Sequence, residues 1–246
     1  MTFSSEEPMT AMMDPAESQV NLMHRVSNIV ASQLSLDEML GEIVGLTSQV
    51  TDCDATLVYL IEAETNEIVL RASQVPHARD LGNLRMKVGE GITGWVAQHQ
   101  SVVALPRNAA SDTRFKRFSA LIEDTYEAFL SVPLVNRGET IGVINVHHRA
   151  AHEHTPQEVS LLTFIGEQMG TAISKSLLED QNELLKEQLE TRKIVERAKG
   201  LLQSRQGLSE EEAYLRLRNE SRRLRRPMKE LAEAIILSEE LSRKPD

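Results

Sequence analysis

Between Pro156 and Pro227 the chain runs for 70 residues without a proline, and glycine interrupts it only at positions 166, 170, 200 and 207. Proline is the residue a helix interior tolerates least, because it lacks the N–H donor and its ring strikes the preceding turn. The apolar residues of the run keep helical spacing: Val159, Leu162, Ile165, Met169, Ala172 and Ile173 come first. Leu177, Leu178, Leu184, Leu185 and Leu189 continue the stripe, which then leads into Ile194, Val195 and Ala198. The pairs Leu177/Leu184 and Leu178/Leu185 stand seven residues apart, while Gln181, Asn182 and Gln188 leave the seam polar in places. The pattern predicts one long helix that starts near Pro156 and joins two halves of the protein. Its middle reads as a short parallel coiled coil, hence a homodimer; the alternative is a connecting helix with no partner.

The run ends in a three-helix pattern from Gln188 to Glu240. Gly207 suits the left-handed residue that closes one helix. Ser209 and Glu212 form the capping box of the next, with Glu210 and Glu211 at its positive end. Pro227 falls in the first turn of the third, where a missing N–H costs nothing. Charge separates these helices. The second carries Arg216, Arg218, Arg222, Arg223, Arg225 and Arg226, with Ala213, Leu217, Ser221 and Leu224 on its inner face. The first adds Arg192, Lys193, Arg197, Lys199 and Arg205, and the third is apolar and acidic, with Glu230, Glu233, Glu239 and Glu240. The whole chain has 27 basic and 37 acidic residues, but residues 181–246 hold 15 and 13 of them, leaving 12 and 24 for residues 1–180. A polyanion is therefore expected only at the C-terminal end. A helix-turn-helix DNA reader would place its third helix in the major groove, and that helix has the wrong charge. Basic first and second helices, with Tyr214 as a stacking platform, suit the phosphates and splayed bases of RNA. The competing reading pairs the arginines with Glu190, Glu210, Glu212 and Glu220.

The stretch resembles the ANTAR domain, a three-helix RNA-binding module of bacterial transcription antitermination regulators. The resemblance rests on Arg192, Ile194 through Leu202, Gly207 through Tyr214, Leu217-Arg218, Ser221 and Leu231 through Ile235. It implies that two such domains hold a two-hairpin leader RNA against a terminator. Gln203 stands where the family commonly has methionine, and Arg222 replaces a usual apolar residue. The expected RNA-binding residues are Arg192, Lys199, Gly200, Arg205, Tyr214, Arg218, Arg222 and Arg225. Control through a receiver domain is not expected.

In the N-terminal part, residues 1–17 read as an acidic, disordered leader. Residues 18–52 read as two helices, the second opened by Ser35 and its acidic first turn. Ala55–Ile61 with Ile68–Ala72, and Phe129–Val135 with Thr140–His147, read as hairpins. Between them lie a Gly-rich turn running into a short helix, Gly89–Ala97, the short strand Ser101–Leu105 and a polar loop. This order predicts an α+β domain, an antiparallel sheet with helices on one face. Val88–Ala97, Asp112–Phe115, Ser131–Leu134 and Ile141–Ile144 resemble a GAF domain, a sensing or dimerising regulatory module. A pocket is expected between the sheet and residues 104–126, lined by Arg107, Arg114, Phe115, Phe118 and Tyr126. Its aromatic residues equally suit a plug that seats the loop on the core.

Several chemistries find no support. Gly89–Gly94 lacks both the GK[ST] ending of a P-loop and the dinucleotide fingerprint. Cys53 is the single cysteine, which leaves no intramolecular disulfide and no resolving thiol for the reductase chemistry known on this fold. His147 and His148 share a strand and so point to opposite faces; at most one can join His152 and His154. That cluster reads as a polar strand end and loop, the alternative being a zinc or iron site; no metal and no cofactor is expected. No apolar run is long enough to span a membrane.

Taken together, the sequence predicts a cytoplasmic, non-enzymatic homodimer with a GAF sensor at 18–178, a helical linker at 179–188 and an ANTAR domain at 189–242. A small molecule or partner at the GAF domain would control RNA binding. The alternatives are a protein-interaction regulator whose basic helices dock an acidic partner, and an enzymatic GAF domain.

Overall fold

The computed structural model describes residues 15–74, 81–116 and 126–242, and the chain divides into two compact units, 1–177 and 178–246. In the first unit, helices α1 (Pro15–Ala31) and α2 (Leu36–Thr51) precede the hairpin of β1 (Ala55–Glu62) and β2 (Glu67–Ser73). The short strand β3 (Arg85–Lys87), α3 (Gly91–His99) and β4 (Val103–Leu105) follow, then the hairpin of β5 (Ala128–Asn136) and β6 (Glu139–His148). The sheet order is β3-β2-β1-β6-β5-β4, and each pairing is antiparallel. Helix α1 begins inside the segment read as leader, whose residues 1–14 lie outside the described residues.

Side-chain alternation divides the core in two. Val58, Leu60, Leu130, Val132 and Ile144 face a cluster built from α1, α2 and the start of α4 (Pro156–Gln206). Leu57, Tyr59, Phe129 and Val143 face the other way, onto Ile92, Val96 and Ala97 of α3. Helices therefore cover both sides of the sheet, which corrects the expected single covered face. The physical sign was present in β1, whose first six residues are all buried. A strand buried on both faces loses the polar alternation that an exposed face imposes.

Helix α4 lies close against β5, and its glycines permit it. A Cβ at Gly166 would come within 2.5 Å of the Pro133 carbonyl, and one at Gly170 within 2.3 Å of the Val135 carbonyl. The helix opens on a capping box: the Glu158 N–H donates to Thr155 Oγ1 at 3.2 Å, and the Thr155 N–H donates back to Glu158 at 2.7 Å. It then continues unbroken for 51 residues, as the proline-free run predicts.

The second unit joins the end of α4 to α5 (Glu210–Leu224) and α6 (Met228–Ser242). Each helix gives its core a small and a large residue four apart: Ala198 and Leu202, Ala213 and Leu217, Ala232 and Ile236. Residues four apart share a helix face, and one alanine in each pair lets the end of α4 and the two shorter helices approach closely. Gly207 has φ +64°, and Ser209 with Glu212 forms the capping box of α5. Met228 opens α6 directly after Pro227.

Candidate nucleic-acid interface

In the second unit, ion pairs sort the basic residues into two groups. Arg197 reaches Glu240 at 2.8 Å, Arg205 reaches Glu239 at 2.7 Å and Arg226 reaches Glu230 at 3.3 Å, so these three spend their charge on α6. Lys193 pairs with Glu190, and Arg223 with Glu220. Arg192, Arg216, Arg218, Arg222 and Arg225 have no carboxylate partner among the described residues, Arg216 donating instead to the Gln206 amide oxygen at 2.7 Å. The expectation that Glu190, Glu210, Glu212 and Glu220 neutralise the second helix is met only at Arg223. Glu210 is taken by Lys199, Glu190 by Lys193, and Glu212 by the Ser209 cap.

Helix geometry places the unpaired cations together. At about 100° per residue, Tyr214, Arg218 and Arg222 fall on one strip of α5, within about 80° of each other. Tyr214 is 42% exposed and shares a groove with Thr191, Arg192, Val195 and Glu196 of α4. Arg225 caps α5 in the left-handed conformation, at φ 53°. Gly200 is exposed, and a Cβ there would meet nothing within 4 Å. Arg205, by contrast, lines a different groove with Leu231, Ile235 and Glu239.

Lys199 departs furthest from a simple phosphate contact. Its side chain is 8% exposed, and Nζ donates to Glu196 at 3.0 Å and to Glu210 at 2.9 Å. Hydrogen bonding to Glu210, and then to Glu196, raises its pKa, and the same contact with Lys199 lowers that of Glu210. The lysine ties α4 to the first turn of α5, at Glu210, one turn before Tyr214 on the same strip.

The residues expected to line a GAF pocket are only partly brought together. Phe118 lies outside the described residues. Arg114 is chelated by Asp112, whose carboxylate accepts at 2.7 and 2.8 Å, and its guanidinium lies 4.8 Å above the Trp95 ring. The guanidinium holds the Asp112 carboxyl below its usual range. Phe115 and Tyr126 pack on the α3 side of the sheet, and Tyr126 meets His147 edge-on at 4.6 Å. Arg107 is apart from them, exposed and 3.9 Å from Glu153. The apolar patterning gave no sign of a buried polar chain on this face. Ser131 donates to Asn145 at 2.7 Å, and Asn145 donates to Thr93 of α3 at 2.7 Å. Cys53 is half-buried beside Thr56 Oγ1, at 3.2 Å.

The strand parity of the histidines holds. His147 packs edge-on against Phe129 at 4.4 Å, and His148 turns to the opposite face, where it stacks on His152 at 3.9 Å. Where the sequence reads as a plain strand end, the structure gathers His148, His152 and His154. Burial, then the charge of His152, lowers the pKa of His148; burial and both neighbouring imidazoles push His154 down to about 4.

The chain thus joins a six-stranded antiparallel sheet clad by helices to a helical unit that carries unpaired cations, a two-part architecture. Residues 35–173 match the family model of the GAF domain, and residues 183–236 match that of the ANTAR domain. The GAF match spans more than half of the chain, which belongs to the GAF family and carries the domain pair of GAF–ANTAR transcription antitermination regulators. The transcriptional regulatory protein PdtaR of Mycobacterium tuberculosis is 28% identical over 211 residues, covering 78% of this chain and 96% of its own. The GAF domain of a phosphoenolpyruvate-protein phosphotransferase from Coxiella burnetii superposes with a TM-score of 0.63, at 21% identity, over 68% of this chain and 99% of that one. The free methionine-R-sulfoxide reductase of Neisseria meningitidis superposes at 0.56, with 17% identity, over 69% and 96%. The two superpositions show a shared fold only. Among the described residues, no helix is long and apolar enough to cross a membrane.

Proposed function

We propose that the chain is a cytoplasmic, non-enzymatic homodimer whose ANTAR domains bind paired-hairpin leader RNA under the control of a signal at the GAF domain. The observation that carries the reading is the pairing pattern: Arg197, Arg205 and Arg226 are neutralised by α6, while Arg192, Arg218 and Arg222 are left for an outside anion beside Tyr214. Unpaired arginines bind phosphates at the gain of counterion release, and an exposed tyrosine gives an unstacked base a surface to lie on. In this reading Arg192, Gly200, Tyr214, Arg218, Arg222 and Arg225 meet RNA. Lys199 holds the strip in place, and Arg205 braces α6.

Homodimerisation rests on the leucines of α4. Leu178, Leu184, Leu185 and Leu189 are 62%, 56%, 58% and 57% exposed, and Leu178 and Leu185 stand a heptad apart, an apolar seam left uncovered among the described residues. A dimer would bring two ANTAR domains to one RNA with two loops. A ligand at the GAF domain changes RNA binding only through its different affinity for two arrangements of the dimer. An enzymatic GAF domain has little support, because the one thiol sits among packing contacts.

The test is an electrophoretic shift with the full chain and an RNA of two adjacent hairpins. Binding is expected to exceed that of a matched DNA duplex at the same salt. Arg218→Gln should weaken it and reduce the salt slope by about one, as one phosphate contact is lost. Equal binding of DNA and RNA, or no binding, would contradict the proposal.

A further inference from the structure

The imidazoles at the end of β6 form a cluster that the RNA-binding reading does not use. His148 is the last residue of β6 and is 5% exposed. His152 is fixed twice: its backbone N–H donates to the Pro106 carbonyl at 2.9 Å, and its Nε2 lies 3.1 Å from Glu158 in the first turn of α4. His154 stands 5.4 Å from the ring of His148 and 4.9 Å from that of His152. One ring nitrogen from each of the three lies within 4.8 Å of the others.

Three ring nitrogens of this cluster lack partners among the described residues. Nε2 of His148 and both ring nitrogens of His154 are buried without a hydrogen bond among the described residues. Buried polar atoms are rarely left so, and several around one point call for a shared ligand. A neutral imidazole offers a metal the lone pair of its unprotonated ring nitrogen. We propose that His148, His152 and His154 bind one divalent transition-metal ion of the zinc class, with Glu158 positioning His152.

The chemistry of the donors selects the ion. Three imidazoles suit zinc and its neighbours, whereas calcium and magnesium take oxygen ligands. Metal–nitrogen bonds of about 2.0–2.1 Å in a tetrahedral site put the nitrogens about 3.3–3.4 Å apart. His148 and His152 are stacked 5° from parallel at 3.9 Å, so binding one ion requires one of the two rings to turn out of the stack. Glu158 supplies the carboxylate that commonly orients a ligating histidine from behind. Asp54 and Glu158 act electrostatically on His148, and their charge offsets a dication. The bound ion would fasten the end of β6, the connection after it and the first turn of α4.

The experiment is a titration of the metal-free full chain, made without a histidine tag, with Co2+ and then Zn2+. One ion per chain is expected, with tetrahedral ligand-field absorption from Co2+ that Zn2+ abolishes. His154→Gln should remove most of that absorption. Glu158→Gln keeps the capping geometry and should weaken the metal about 10–100-fold without moving the absorption bands. Thermal melts without metal establish that each variant folds. Absence of stoichiometric binding, or unchanged affinity in a folded His154→Gln chain, would overturn the proposal.

Discussion

Gly200 is the residue at which the proposed RNA interface and helix stability make opposite demands. It sits within α4, where glycine costs a helix roughly 0.5–1 kcal/mol relative to alanine, yet a Cβ there would meet nothing. Packing inside the chain does not call for glycine at this position; close approach of an RNA backbone would. Gly200→Ala is therefore expected to raise the melting temperature while weakening RNA binding several-fold, and a thermal melt beside a binding titration checks both. Unchanged RNA affinity would place Gly200 outside the interface. The sequence marks Gly200 and Lys199 alike, as members of one motif. It cannot show that Lys199 is held by Glu196 and Glu210, because the second partner is 11 residues away across a turn. Arg197–Glu240 and Arg205–Glu239 are still further apart in sequence, so the division between spent and available cations exists only in the fold.

At the scale of the element, punctuation was legible and close approach was not. The caps at Ser35, Thr155 and Ser209 form as their local sequences predict, because a capping box needs only residues three apart. Strand β3 was missed, since three residues with one apolar side chain carry no period. Gly166 and Gly170 were visible as interruptions of the long helix, but their reason lies in β5, more than 30 residues earlier. Gly170→Ala should cost about 1–3 kcal/mol or more, as the helix is forced off the Val135 carbonyl. Gly41→Ala in α2 is the control: its Cβ has open space, so the melt should stay or rise. Comparable losses in the two variants would contradict the close helix–sheet contact.

For the whole molecule, the acidic N-terminal part and the locally unpaired arginines of α4 and α5 support the proposal that polyanion binding belongs to the C-terminal end. The charge division is plain in the sequence; the side of the ANTAR domain that carries it is not. The most direct measurement is ultraviolet crosslinking of the full chain to a two-hairpin RNA, with the attached peptides identified by mass spectrometry. Crosslinks are predicted on the α5 strip, at Tyr214 and its neighbours, and on the facing stretch of α4 around Arg192. Crosslinks confined to α6 and the Arg205 groove, or to the GAF domain, would contradict the account.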